Sequence, residues 1–359
     1  MSSARLPLRW RAVSRAAGGG LRLVAGRLGG RPALLSANVY ITQRCNLRCV
    51  YCSAPFRGTG ELDTATWRAI VDELAALGCL RIAILGGEPL LRADIGDLIA
   101  HVRGRGMSVG LTSNGLLVPR RLDKLRGLSH LVLSLDAPGP ANDAVRGAGV
   151  FAAVQAALGA ARSIRIPVKL NAVMSAETVP QLDALLQFCE REDLSLTINV
   201  VRSESPDLWR DAASVRPEDT TVSALLTRLA AEASRNPRLL FSPSTYRYAA
   251  RWRDYGKDRA ERGDWPASDP RLRDAPTCHH GRNTIAIDAD GEVYPCSQTF
   301  GRIHGGNAAR EGVATAWQRL HDHRCVTCFT PCTVEQNAIL SLRPGPLLHF
   351  ARRHLGRFA

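Results

Sequence analysis

Eight of the ten cysteines in this 359-residue chain fall into two spaced groups, and thiolates at such spacings ligate metal. The first group is CNLRCVYC, with Cys45, Cys49 and Cys52 in Cys-x3-Cys-x2-Cys order. Three thiolates on one short loop can hold three irons of a [4Fe–4S] cube and leave the fourth iron for an exogenous ligand. A zinc site that borrows a distant fourth ligand is the competing reading of these cysteines alone. The second group is Cys278, Cys296, Cys325, Cys328 and Cys332, one thiolate more than a four-coordinate site requires. Between Cys278 and Cys296 lies a predicted hairpin, TIAID and EVYP joined by Ala289-Asp290-Gly291, which would bring its two ends together. His279, His280, His321 and His323 stand nearby and would suit zinc as well as cysteine does. Cys79 follows a predicted helix end and Cys189 sits on a predicted helix face, so both read as small buried hydrophobes.

The elements that must position these groups keep a strand–helix rhythm from residue 37. ANVYIT (37–42), RIAIL (81–85), SVGLT (108–112), LVLSL (131–135) and the runs at 167–173 and 194–200 read as strands. Helices are predicted from Asp63 or Thr64 to Ala76, at 95–102, 119–126, 150–162 and 179–191, and at 217–234 behind Pro217. Such alternation argues for an α/β fold with a parallel sheet and helices outside. Six units in about 200 residues suit a partial (β/α)6 barrel better than a closed eight-stranded one. Working groups then belong at the carboxyl ends of the strands, where LGGEPL (85–90), TSNG (112–115) and LVLSLDAP (131–138) stand. There Gly86 and Gly87 would let backbone approach a ligand, and Glu88 would offer a carboxylate to an ammonium group. Asn114 and Asp136 read equally well as turn residues, and Arg146 as a solvated charge. Residues 236–277 lose the rhythm and read as a linker.

The cysteine loop followed in order by GGEP, TSNG and SLD, over about residues 37–200, resembles the radical S-adenosylmethionine (radical SAM) superfamily. That resemblance implies that the methionine amino and carboxylate groups of SAM chelate the open iron. The reduced cluster would pass one electron to the sulfonium, and the resulting 5′-deoxyadenosyl radical would abstract hydrogen from substrate. A reductant protein such as a flavodoxin or ferredoxin is implied as well. By the same resemblance Cys45, Cys49 and Cys52 hold the cluster, Tyr51 lies near the adenine and Glu88 binds the methionine amino group. Gly86, Gly87, Asn114, Ser134, Asp136 and Arg146 would line the SAM or substrate pocket. The second group resembles the auxiliary-cluster domains called SPASM, with two clusters, or twitch, with one. Five cysteines are too few for two full clusters, so a twitch-like domain with one [4Fe–4S] is implied. Cys278, Cys296, Cys325 and Cys328 are the preferred ligands, and Cys332 could replace one of them. The nearby histidines are then neighbours of the cluster or surface groups. The implied organisation is a basic segment over 1–36, a radical SAM core over 37–235, the linker, an auxiliary domain over 278–335 and a tail over 336–359.

The net charge of +14 narrows the function classes once it is located. Residues 1–60 hold ten Arg and no acid, and residues 336–359 hold four Arg and no acid. The body between them is neutral, which argues against a basic nucleic-acid channel. Only Lys124, Lys169 and Lys257 are lysines, an Arg bias that weakens any basic-patch reading. PLLHFARRHLGRFA (346–359) is predicted as a helix begun by Pro346, with Leu347, Leu348, Ala351, Leu355 and Phe358 on one side and Arg352, Arg353 and Arg357 on or near the other. The opening offers Leu6, Leu8, Trp10 and Val13 among arginines before Gly18-Gly19-Gly20. Such ends suit peripheral contact with an anionic membrane and a lipid-like substrate; a tail packed on the barrel behind an irregular head is the plain alternative. No apolar run reaches the ~18–20 residues that span a bilayer, and no secretory signal opens the chain, so a cytoplasmic placement is expected.

The expected activity is hydrogen abstraction from a small-molecule or lipid-like biosynthetic substrate, assisted by the auxiliary cluster. Maturation of a ribosomally made peptide is the alternative; 36 residues before the first strand leave no room for a leader-binding domain, which weighs against it. A non-catalytic iron–sulfur or zinc protein, acting as electron carrier or scaffold, explains the cysteines but not the motifs at successive strand ends.

Overall fold

Apolar residues alternate along six short strands, and that alternation builds the sheet. The computed structural model describes residues 8–56, 58, 60–202, 215–252, 254–266, 268, 269, 272 and 274–355. Strands β1 (Ser36–Tyr40), β2 (Arg81–Leu85), β3 (Ser108–Ser113), β4 (His130–Ser134), β5 (Val168–Met174) and β6 (Ser195–Val200) pair in sequence order, all parallel. Val39, Ile82, Ile84, Leu131, Leu133 and Leu170 are buried with the helix side chains Trp67, Leu74 and Ile99 in one core. The alternate residues, among them Tyr40, Ala83, Ser134, Asn171 and Asn199, are partly exposed and face the inside of the barrel.

Helix α1 (Leu8–Leu28) precedes this sheet, and α2 (Thr64–Ala76), α3 (Ile95–Gly104), α4 (Pro140–Arg146), α5 (Val150–Ser163), α6 (Leu182–Arg191) and α7 (Asp219–Arg235) connect or follow its strands. The Asp63 side chain caps α2 by accepting from the Thr66 N–H, as the sequence suggests. Residues 119–125 form a 3-10 helix rather than an α-helix. Helix α4 adds to the predicted elements; seven residues between Gly139 and Gly147 are too few to show a helical period. Among the described residues no single helix is long and apolar enough to cross a membrane.

The segment read as a linker is instead packed structure. It holds α8 (Pro243–Ala250) and β7 (Arg259–Glu261), and Tyr246, Tyr248, Trp252 and Tyr255 are buried there. Two helical turns and three strand residues fall below the length at which periodicity shows.

The predicted hairpin forms from β8 (Thr284–Ile287) and β9 (Glu292–Tyr294). It does not stand apart, because β8 also pairs in parallel with β1 from Ser36↔Thr284 to Val39↔Ile287. With β10 (Gly306–Asn307) the sheet reaches nine strands, in the order β10-β9-β8-β1-β2-β3-β4-β5-β6. All four residues of β8 are buried, as a strand covered on both faces requires. Helices α9 (Ala308–Glu311) and α10 (Val313–Gln318) follow, and Val313 donates its N–H to Glu73 of α2 at 2.7 Å.

Strand β11 (Cys325–Cys328) pairs antiparallel with β7, and α11 (Pro331–Leu340) and α12 (Pro344–Leu355) complete the described chain. Helix α11 runs through residue 335. Helix α12 starts at Pro344, two residues before the predicted Pro346. Its His349 is buried against the Leu239 carbonyl, 3.2 Å away, while Leu348 and Phe350 are exposed. Leu6, Arg357 and Phe358 lie outside the described residues.

Candidate functional site

The first cysteine loop leaves β1 and docks on the end of β2. Gly87 donates its N–H to Thr42 at 2.8 Å, and Glu88 to Arg44 at 2.8 Å. A Cβ on Gly86 would stand 2.5 Å from the Thr42 carbonyl oxygen, and one on Gly87 would stand 2.4 Å from that of Arg44. The two glycines therefore admit the backbone of the cysteine loop itself. Their close neighbour is protein rather than the ligand expected from the sequence, because β1 and β2 are adjacent parallel strands whose ends must pass within contact distance.

Glu88 is fully buried and knits three strand ends together. It accepts from Leu90 N–H at 3.1 Å, from the Ser113 hydroxyl at 3.0 Å and from Asn114 N–H at 2.8 Å. Burial pushes its carboxyl up to about 7, against the pull of those donors. The Asn114 amide bonds to Asn46 at 2.8 Å and lies 3.9 Å from Cys45 Sγ. Ser113 and Asn46 thus belong to the site although sequence reasoning passed over them; Ser113 stands in the TSNG motif and Asn46 in the loop, which was the available signal.

A second network holds the far side of the loop. Arg146 forms a two-point ion pair with Asp136, at 2.7 and 2.8 Å, and both side chains are buried. Tyr51 donates its hydroxyl to Asp136 at 2.7 Å, and Val173 adds its N–H at 2.8 Å. Beside this pair Val50 N–H bonds the Val145 carbonyl at 3.0 Å, and Cys49 Sγ lies 3.8 Å from the Arg146 carbonyl oxygen. Arg146 is no solvated charge, and Asp136 is no turn residue alone: together they clamp the segment that carries Cys49 and Cys52. Ser134, the last residue of β4, is aligned with Asn171 of β5. Asn171 in turn accepts from Thr197 at 2.9 Å and from Asn199 at 3.2 Å inside the barrel.

The donor set of the loop fits a three-thiolate cluster ligand. Cys45, Cys49 and Cys52 are each partly accessible at the mouth of the barrel. Burial raises the Cys45 thiol and pushes the Cys49 thiol up to about 11, so iron charge is what would favour their thiolates. Leu47 N–H, 3.5 Å from Cys45 Sγ, is placed to support a sulfur anion.

The second cysteine group comes from four segments: Cys278 before β8, Cys296 after β9, Cys325 and Cys328 on β11, and Cys332 on α11. Cys278 and Cys325 share a side-chain hydrogen bond, and burial raises the Cys328 thiol. Cys296 and Cys328 are buried, whereas Cys332 is exposed and donates its N–H to Asn199 of β6 at 3.2 Å. His279 contacts Ser341 at 3.0 Å and His323 contacts the His280 carbonyl at 2.6 Å, whereas both ring nitrogens of His280 and Nε2 of His321 are buried without a hydrogen-bond partner among the described residues. Burial drives the imidazole of His280 down to about 3, so it is neutral. Among the described residues no three or more His, Cys, Asp or Glu side chains are gathered as for a single metal ion. Cys79 and Cys189 are buried in the core.

A parallel partial barrel with a cysteine loop at its mouth and a second cysteine cluster beside β1 defines a class, and the comparisons identify it. The model of the radical SAM superfamily matches residues 39–189, and that of the SPASM iron–sulfur cluster-binding domain matches residues 278–335. The chain belongs to the radical SAM superfamily and carries a SPASM domain. It is 33% identical over 280 residues to the PqqA peptide cyclase of Ruegeria pomeroyi, covering 74% of this chain and 68% of that protein. It is 30% identical over 282 residues to the mycofactocin maturase MftC of Mycobacterium ulcerans, covering 76% and 71%. The fold is shared with Streptococcus suis SuiB, whose crystal structure with the precursor peptide SuiA superposes with a TM-score of 0.60 at 17% identity, over 88% of this chain and 72% of that one. The protein is therefore a radical SAM enzyme that uses a [4Fe–4S] cluster with SAM, and its SPASM domain implies auxiliary iron–sulfur binding.

Proposed function

We propose that this enzyme modifies a peptide, in place of the small-molecule or lipid-like substrate expected from the sequence. The observation that carries the reading is the likeness to a peptide cyclase across 74% of the chain, which takes in more than the barrel. In this reading Cys45, Cys49 and Cys52 hold the SAM cluster, and four of Cys278, Cys296, Cys325, Cys328 and Cys332 hold the auxiliary one. Bound there, the cluster and SAM supply an electron and a 5′-deoxyadenosyl radical that takes hydrogen from the substrate.

The chain's own residues then bind, orient and exclude. Glu88, with its carboxyl raised by burial, is placed to accept an ammonium hydrogen bond near Cys45, and Asn114 orients both. The Asp136–Arg146 pair fixes the loop so that Cys49 and Cys52 keep their positions. Ser134, Asn171 and Asn199 supply polar groups to the barrel interior where substrate would lie. Reducing equivalents would come from a flavodoxin- or ferredoxin-type protein.

Deuterated peptides encoded beside the gene test the reading when incubated with SAM, reductant and the reconstituted enzyme. Deuterium in 5′-deoxyadenosine together with a changed peptide mass is the expected result. Unaltered peptides, with deuterium arriving only from a pool of deuterated small metabolites, would overturn it.

A further inference from the structure

We infer that helix α1, joined by the segment around Leu342, docks the enzyme on an anionic lipid bilayer. The position of the exposed large hydrophobic residues in the chain carries this inference. Among the described residues these are Leu21, Val24, Leu28, Leu342, Leu348 and Phe350, so all six lie in the two terminal segments and none in the catalytic body. An apolar surface restricted to the ends of a chain is a patch with a use.

Helix α1 has two distinct sides. Leu23 is buried, and a Cβ on Gly19 would sit 3.2 Å from Leu80, so that side rests on the body. Leu21, Val24 and Leu28 follow at helical spacing on the other side, exposed by 73%, 42% and 85%. Arg22 and Arg27 flank this stripe. They donate to the backbone carbonyls of Gly78 and Leu340, and among the described residues neither forms an ion pair with a carboxylate. The Arg27–Leu340 contact also joins the end of α1 to the end of α11, two residues before Leu342.

Charge selects the occupant. The first 60 residues contain ten Arg and no acid, the last 24 contain four Arg and no acid, and the intervening body is neutral. A second copy of this chain would bring the same arginines against them. An anionic bilayer answers both features at once: the leucines enter the acyl boundary while the guanidinium groups stay at the phosphates.

The test is flotation of the reconstituted full-length enzyme with vesicles of mixed phosphatidylglycerol and phosphatidylcholine, and with vesicles of phosphatidylcholine alone. The wild type should float with the anionic vesicles at low salt and bind about tenfold or more weakly to neutral vesicles or at high salt. L21E/L28E should lose anionic binding by about tenfold or more while keeping its iron content and SAM cleavage. If glutamates disturb the packing of Leu23, L21S/L28S should show the same loss in smaller degree. Equal binding to both vesicle types, or a double variant that floats like wild type, overturns the inference. So does a wild type that ignores vesicles and forms a dimer that L21E/L28E separates, which would assign the stripe to self-association.

Discussion

Replacing Arg146 with methionine keeps most of the side-chain volume and removes the cation from a buried carboxylate. Asp136 has no solvent exposure and holds four hydrogen bonds, two of them from Arg146 at 2.7 and 2.8 Å. The variant leaves it with Tyr51 and the Val173 N–H. Two charge-assisted bonds are worth about 1.5–3 kcal/mol each, and breaking one side of a buried pair destabilises by about 3–5 kcal/mol. Urea unfolding of reconstituted protein under anaerobic conditions should show a loss in that range. D136N/R146M should recover part of it, with a coupling of about 2 kcal/mol, since no buried charge then lacks a partner. Iron at the first loop should fall as well, because Val50 and Cys49 lean on the backbone of Val145 and Arg146. A loss under about 1 kcal/mol in R146M, with full iron content, would show that the pair does not hold the loop.

Three further outcomes are expected. G87A, whose methyl would meet the Arg44 carbonyl at 2.4 Å, should displace the cysteine loop and lower iron incorporation at the first cluster while the auxiliary cluster stays filled, as measured by iron analysis in a background lacking Cys278 and Cys296 and in one lacking Cys45 and Cys49. Because burial raises Glu88 from 4.5 to about 7, its protonated form is the one favoured in the SAM-free fold. The stability of wild type relative to E88Q should therefore be highest below pH 4.5 and fall by on the order of 3 kcal/mol as pH rises through 7, and a gap independent of pH would refute the assignment. Anaerobic reconstitution should load about eight iron atoms per chain, and C332S should retain them if Cys278, Cys296, Cys325 and Cys328 are the ligands; about four iron with one bound zinc would reject the auxiliary cluster.

The barrel was legible because its signals are local. Alternation in RIAIL and LVLSL, the Asp63 cap and the Gly78 stop each act within a few residues, and all of these elements form as read. The pairing of β8 with β1 was not legible, since it joins residues some 250 positions apart and TIAI looks the same in a free hairpin as in a sheet. The supposed linker failed for another reason. Its order comes from buried aromatics and from β7 pairing with β11, neither of which leaves a period in the sequence. At the site, residue types pointed to candidate ligands but not to who touches whom. Gly86 and Gly87 meet backbone, and Arg146 finds Asp136 rather than solvent, because strand ends brought together by the sheet decide those contacts.

The loop of Cys45, Cys49 and Cys52 is proposed to hold the cluster at which SAM is cleaved. The most direct measurement is the yield of 5′-deoxyadenosine from SAM under reductant, for reconstituted wild type and C49A side by side. Wild type should form the product, and C49A should form none while still carrying its auxiliary iron. Equal yields from the two proteins would contradict the claim.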